Sequence, residues 1–160
     1  MAANDIVTWQ KTYSVNIPLI DSQHMALVDL TNKLYRNCLK GRNHSKEVFM
    51  EVVRKTVDYV GYHFSTEEKI MERVNYPGFA AHKKEHNAFV MEVLKSVEAF
   101  SSGKIYNPIA FVKYLKDWVL THIAVSDTEL GNYLLSLKRN GTLHTISLRV
   151  KQVSDHYVFE

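Results

Sequence analysis

His63 and Glu67 stand four residues apart, and His82 and His86 repeat the interval further along the chain. On a helix that spacing puts both side chains of a pair on one face, about one turn apart. Imidazole and carboxylate are both metal ligands, so each pair is a candidate clamp for a cation. One such pair alone is common on helix surfaces. Here each pair continues an apolar face, which turns two clamps toward the same interior. His24 adds a third element, since it shares a stripe with Ile20, Leu27, Thr31 and Leu34. Taken singly it reads as a buried histidine satisfied by a carbonyl or carboxylate.

His122 lies between Val119 and Ile123, and Asp127 follows it by five residues. On a regular helix five residues carry a side chain about 140° beyond a full turn. Asp127 is then a solvated carboxylate, or it reaches sideways as a bridge, or a π-bulge adds a residue to one turn and brings it inward. Five imidazoles and two carboxylates (His24, His63, His82, His86, His122, Glu67 and Asp127) exceed what one closed tetrahedral site uses. Two octahedrally inclined ions can share the carboxylates as bridges, whose negative charge offsets the repulsion between adjacent cations. A histidine-rich set leaves less negative charge on the metals than a four-carboxylate set would. That balance suits reversible redox binding better than generation of a strong oxidant.

The elements that must position these groups are legible as four amphipathic stripes. A first helix is expected over about 19–39, and a second over about 45–71 with Ser45 as its cap and Gly41 as the stop before it. Asn75-Tyr76-Pro77-Gly78 predicts a turn, followed by a third helix over about 80–100. Asn107-Pro108 predicts the start of a fourth, which runs to about Lys138. Short connections between such helices imply an all-α, up-down-up-down four-helix bundle. Residues before Pro18 alternate as an extended arm (Tyr13, Val15, Ile17) that lies with Trp9 across helix ends. Gly131 weakens its helix by about 1 kcal/mol relative to alanine with no evident return. Beyond Asn140-Gly141 the pattern turns strand-like, with Ile146, Leu148 and Val150 alternating against Ser147 and Arg149. The reading is therefore a domain over 1–138 and a C-terminal extension over 139–160.

Composition limits the alternatives. The 160 residues, 46% of them hydrophobic, suffice for one ordinary core. A formal charge of +3 spread along the chain forms no stripe for nucleic acid. The apolar stretch from Ile109 to Leu120 is interrupted by Lys113, Lys116 and Asp117, and a bilayer span needs roughly 20 apolar residues. No membrane partner and no signal peptide are expected. Cys38 is the single cysteine, which excludes an internal disulfide and fits a reducing, cytoplasmic compartment.

The ordered segments Ile20-Asp21-Ser22-Gln23-His24, His63-Phe64-Ser65-Thr66-Glu67-Glu68, Tyr76-Pro77-Gly78 leading to His82 and His86, and Trp118-Val119-Leu120-Thr121-His122 leading to Asp127 carry a resemblance. With Trp9 and the Val15-Asn16-Ile17 arm, the chain resembles the hemerythrin family, especially its single-domain bacterial members, over about residues 7–138. That resemblance implies two iron ions with an oxo or hydroxo bridge. His82, His86 and His122 would hold one iron and His24 and His63 the other, with Glu67 and Asp127 spanning both. The iron with fewer ligands would be open to dioxygen or a small anion such as azide.

The resemblance also places Leu27, Phe64, Trp118, Val119 and Ile123 around an oxygen pocket, where apolar packing excludes water. On the plainer reading they are core residues. Asp21 and Gln23 are candidates for hydrogen bonds near the cluster. Glu68, turned about 100° from Glu67, is a solvated or outer carboxylate rather than an eighth ligand. His44, His144 and His156 fall outside the pattern. The function implied is reversible dioxygen binding for carriage, storage or delivery. An oxygen sensor, or a diiron peroxidase or nitric oxide reductase, uses the same ligands, although no acid or base for a substrate is evident. The extension leaves room for a protein partner.

Overall fold

The computed structural model describes residues 5–40, 46–103 and 107–142. Within them the chain forms helices α1 (Pro18–Leu39), α2 (Lys46–Arg73), α3 (Phe79–Ser101), α4 (Pro108–His122) and α5 (Thr128–Arg139). A single π-helical turn, Ile123–Asp127, joins α4 to α5 into one rod, so the expected four-helix bundle has a fourth member built in three pieces. The strand-like reading of the C-terminal extension, Gly41, the Ser45 cap, and His44, His144 and His156 lie outside the described residues. Among the described residues no helix is long and apolar enough to cross a membrane.

Local chemistry accounts for the helix ends. Asn107 accepts the Ala110 amide at 3.1 Å, and Pro108 occupies the first turn, where its missing N–H costs nothing. Asn75, at φ 49°, closes α2 in the left-handed conformation, with the Tyr76 amide reaching back to the Met71 carbonyl at 2.9 Å. Helix α1 starts on Pro18, and Asp21 in its first turn ties down the arm instead of facing the cluster. One Asp21 oxygen accepts the Val15 amide and the other the Ser14 hydroxyl, each at 2.7 Å.

The arm is less extended than alternation predicts, because Lys11–Tyr13 form a 3-10 turn. Val15 and Ile17 are nonetheless buried against Ile20, Ile70, Met71, Leu130 and Leu134 at one end of the bundle. Gly131 earns its place there: a Cβ at this position would stand 2.7 Å from the Val15 carbonyl oxygen. The larger apolar cluster, including Leu34, Val53, Phe89, Val112 and Leu115, fills the bundle beyond the level of Leu27, Phe64 and Ile123. On each inward stripe the ionisable residue falls between members of the two clusters: His24 between Ile20 and Leu27, Glu67 between Phe64 and Ile70, Asp127 between Ile123 and Leu130. A polar belt is thereby sealed between two apolar layers.

Candidate metal centre

The seven residues singled out by spacing converge in this belt, and each is at most 5% exposed. Their ligating atoms form two sets, within each of which all lie less than 4.8 Å apart: Glu67, His82, His86, His122 and Asp127, and His24, His63, Glu67 and Asp127. Only the two carboxylates belong to both. Each divides its oxygens between the sets. Glu67 Oε2 lies 3.4 Å from His82 Nε2 and 3.3 Å from His86 Nε2, while its Oε1 faces His63 Nε2 at 3.6 Å and His24 Nε2 at 3.9 Å. Asp127 Oδ1 stands 3.2 Å from the Nε2 atoms of both His82 and His122, and its Oδ2 is 3.1 Å from His24 Nε2.

Asp127 reaches this position because of the π turn. The Thr128 amide and hydroxyl both bond the carbonyl of Ile123, five residues back, which adds one residue to the turn and rotates Asp127 inward. The mismatch between His122 and Asp127 in the sequence is the trace of that extra residue.

Three observations test whether metal ions fit. His122 Nε2 lies 3.0 Å from both His82 Nε2 and His86 Nε2. The far nitrogens of His122 and His86 face carboxylates, which only accept: His122 Nδ1 donates to Glu85 at 3.0 Å and His86 Nδ1 to Glu68 at 3.2 Å. In the tautomer that these bonds fix, with the proton on Nδ1, His122 and His86 turn Nε2 lone pairs toward one another. Two donors each about 2.1 Å from a common ion and at right angles would stand about 3.0 Å apart, so a cation converts this repulsion into ligation. Secondly, His24 Nδ1 and Nε2 and both oxygens of Glu67 and of Asp127 are buried without a hydrogen bond in acceptable alignment. Orphaned polar atoms at this density cost several kcal/mol unless ions satisfy them. Thirdly, the shared carboxylates present one oxygen to each set, which is the arrangement of a pair of bridged ions.

Protons compete for the same positions. Burial, with the charge of Asp127, pushes the Glu67 carboxyl up to about 8. Burial works against a charged His82, but the Asp127 and Glu67 carboxylates, 3.2 and 3.4 Å from its Nε2, outweigh it and raise that ring to about 9. Burial and then neighbouring imidazoles hold His63 and His86 well below the ordinary histidine value. Burial also opposes ionisation of Asp127, yet His122, His24 and His82 together keep its carboxyl well below the usual range.

An apolar pocket abuts the belt. Leu27, Phe64, Trp118, Val119 and Ile123, the residues expected there, line it with Val60 and Phe89, over a floor of His63, His122 and Asp127. Its free volume for a water-sized sphere is about 10 Å³. Two walls also steady the ligands: Phe64 stacks on His86 with centroids 3.7 Å apart, and Trp118 on His122 at 4.5 Å. A separate apolar cavity of about 120 Å³ between α2, α3 and α4 shares Val60 and Phe89 with the pocket. Sequence reasoning missed Val60 and Phe89, which looked like core, and the outer partners Glu85, Ser126 and Thr66. Gln23 does reach the cluster, through His63 Nδ1 at 3.0 Å.

Residues 15–134 match the family model described as the hemerythrin HHE cation binding domain. The chain is 31% identical over 149 residues to a bacteriohemerythrin of Pseudomonas aeruginosa, covering 93% of this chain and 90% of the relative. It is 30% identical over 122 residues to one of Stenotrophomonas maltophilia, covering 76% and 77%. A crystal structure of wild-type hemerythrin superposes with a TM-score of 0.74 at 28% identity, covering 79% of this chain and 96% of that one.

Proposed function

The chain belongs to the hemerythrin family, and from that premise we propose that it binds dioxygen reversibly at a non-haem diiron centre, for carriage, storage or delivery. A pair of iron ions, when bound, supplies the two electrons that dioxygen accepts on binding and takes them back on its release. His82, His86 and His122 would hold one ion, His24 and His63 the other, and Glu67 and Asp127 both. The observation that carries the reading is the inequality of the two sets, five donors against four, beside an apolar pocket whose floor takes His63 from the smaller set, His122 from the larger and the shared Asp127. The smaller set leaves more room for a further ligand, and through His63 it opens on the apolar pocket, which supports binding of an apolar diatomic ligand there.

The protein's own part is positioning and exclusion. Gln23 fixes the His63 ring by accepting from its Nδ1, and donates in turn to the Thr66 hydroxyl at 3.3 Å. Leu27, Val119 and Ile123, each no more than 4% exposed, keep bulk water from the pocket. No acid or base other than the ligands themselves lines it among the described residues, which favours return of the gas unchanged over its consumption. The experiment is one cycle: anaerobic loading with iron(II), exposure to dioxygen, then removal under inert gas, with the absorption spectrum recorded throughout. Recovery of the starting spectrum is expected. Steady consumption of dioxygen with an added reductant would replace carriage by catalysis.

A further inference from the structure

The ring nitrogens that point away from the belt are held unequally on its two sides. On the three-histidine side both documented partners are carboxylates. His122 Nδ1 donates to Glu85 Oε2 at 3.0 Å, and the same oxygen accepts the Ser126 hydroxyl at 2.6 Å. His86 Nδ1 donates to Glu68 Oε1 at 3.2 Å, and Glu68 Oε2 pairs with Lys83 Nζ at 2.8 Å. On the two-histidine side His63 Nδ1 meets a neutral amide oxygen, that of Gln23, at 3.0 Å. His24 Nδ1 is buried with no hydrogen-bond partner among the described residues.

An imidazole whose far N–H donates to a carboxylate is a stronger ligand than one held by an amide, because the negative charge draws the proton outward and leaves more electron density on the inner nitrogen. Glu68 shares its charge with Lys83, whereas Glu85 bonds only His122 and Ser126 among the described residues. Ser126 sits inside the π turn, one residue before Asp127. The extra residue that brings Asp127 inward therefore also presents a hydroxyl to Glu85 on α3, fixing a side chain that is otherwise half exposed.

We propose that Glu85, held by Ser126 across the π turn, is a positioning residue that makes the three-histidine half the tighter metal site, with Glu68 assisting through His86. The two ions then load in order, the three-histidine position first. The inference rests on the metal-centre reading above.

The test is an anaerobic titration of the metal-free, full-length protein with cobalt(II), followed by calorimetry and visible absorption. Wild type should bind two ions in two resolved steps, and His24→Ala should lose the weaker step while keeping the tighter one. Glu85→Gln keeps an acceptor of the same shape and removes the charge. It should weaken the tighter step about 10- to 100-fold, the usual cost of losing an outer partner of a ligand, and leave the weaker step in place. Ser126→Ala should weaken the same step by less. In the iron-loaded protein Glu85→Gln should also shift the reduction potential to more positive values, which a purely structural role would not do. Circular dichroism of each metal-free variant separates ligand strength from folding, and Glu68→Gln gives a second reading should Glu85→Gln fail to fold. Equal affinities in wild type, or a Glu85→Gln loss confined to the weaker step or absent altogether, would overturn the loading order. Wild type that takes up no cobalt would overturn the metal-centre reading and this inference with it.

Discussion

Replacing Val119 with alanine isolates the pocket from the cluster. Val119 is 4% exposed, supplies no ligand, and lines the small void beside His63 and His122. At about 0.8 kcal/mol for each buried carbon removed, its two methyl groups are worth about 1.6 kcal/mol, with a modest addition for the hole they leave. That is well inside the 5–15 kcal/mol typical of a domain, so the variant should fold and load iron. The pocket will not remain dry. Its free volume of about 10 Å³ stands at the threshold for a single water, and removing two methyl groups passes it. Water admitted there brings protons to the gas-binding position and hastens conversion of the oxygenated protein to iron(III). Loss of the full 1.6 kcal/mol of apolar shielding from that barrier corresponds to a roughly tenfold faster autoxidation. The assay is the autoxidation rate of wild type and Val119→Ala, matched for iron content, pH, temperature and oxygen. An unchanged rate at full iron occupancy would refute a protective role for Val119, and failure of both proteins to form any dioxygen or azide adduct would refute the open position itself.

His86→Ala removes a buried donor of the five-atom set and should lower iron content from about two ions per chain toward one, measured by metal analysis of the folded variant. Loading should release protons at pH 7, because Glu67 near 8 and His82 near 9 hold them in the metal-free protein. Apparent affinity should rise with pH up to that range, and calorimetry in buffers of different ionisation heat would show it; affinity independent of pH between 6 and 8 would count against these protonation states. Gly131→Ala gains about 1 kcal/mol of helix propensity but sets a Cβ 2.7 Å from the Val15 carbonyl, an overpacking worth about 1–3 kcal/mol. A lower melting temperature and a displaced arm are expected, and a higher one would show that the arm yields freely. Ending the chain after Thr142 should leave helix content and the iron spectrum intact, since every proposed ligand lies at or before Asp127; loss of iron would place the extension in the core.

What was legible in the sequence was whatever a single helix displays by itself. The four stripes, the Asn107-Pro108 start and the pairs His63/Glu67 and His82/His86 follow from a period of 3.6 residues, so their positions needed no knowledge of neighbours. What depends on two elements at once was not. Gly131 looked like a cost without a return until Val15 of the arm was found against it. Asp21 belonged to the right segment but turned to that arm, because Ser14 and Val15 offer it two donors. Glu85 and Ser126 are ordinary polar residues on their own helices and acquire meaning only where the π turn faces α3. The instructive case lies between these extremes. A five-residue step from His122 to Asp127 breaks the helical rule, and helices seldom retain an energetically poor π turn without a use for it. A break of this kind inside an otherwise consistent pattern marks the place where structure has been subordinated to a site. Here one inserted residue both delivers a shared carboxylate to the two donor sets and sets Ser126 against Glu85. The irregularity is therefore better evidence for the centre than any of the regular pairs, because regular pairs also arise on helices that bind nothing.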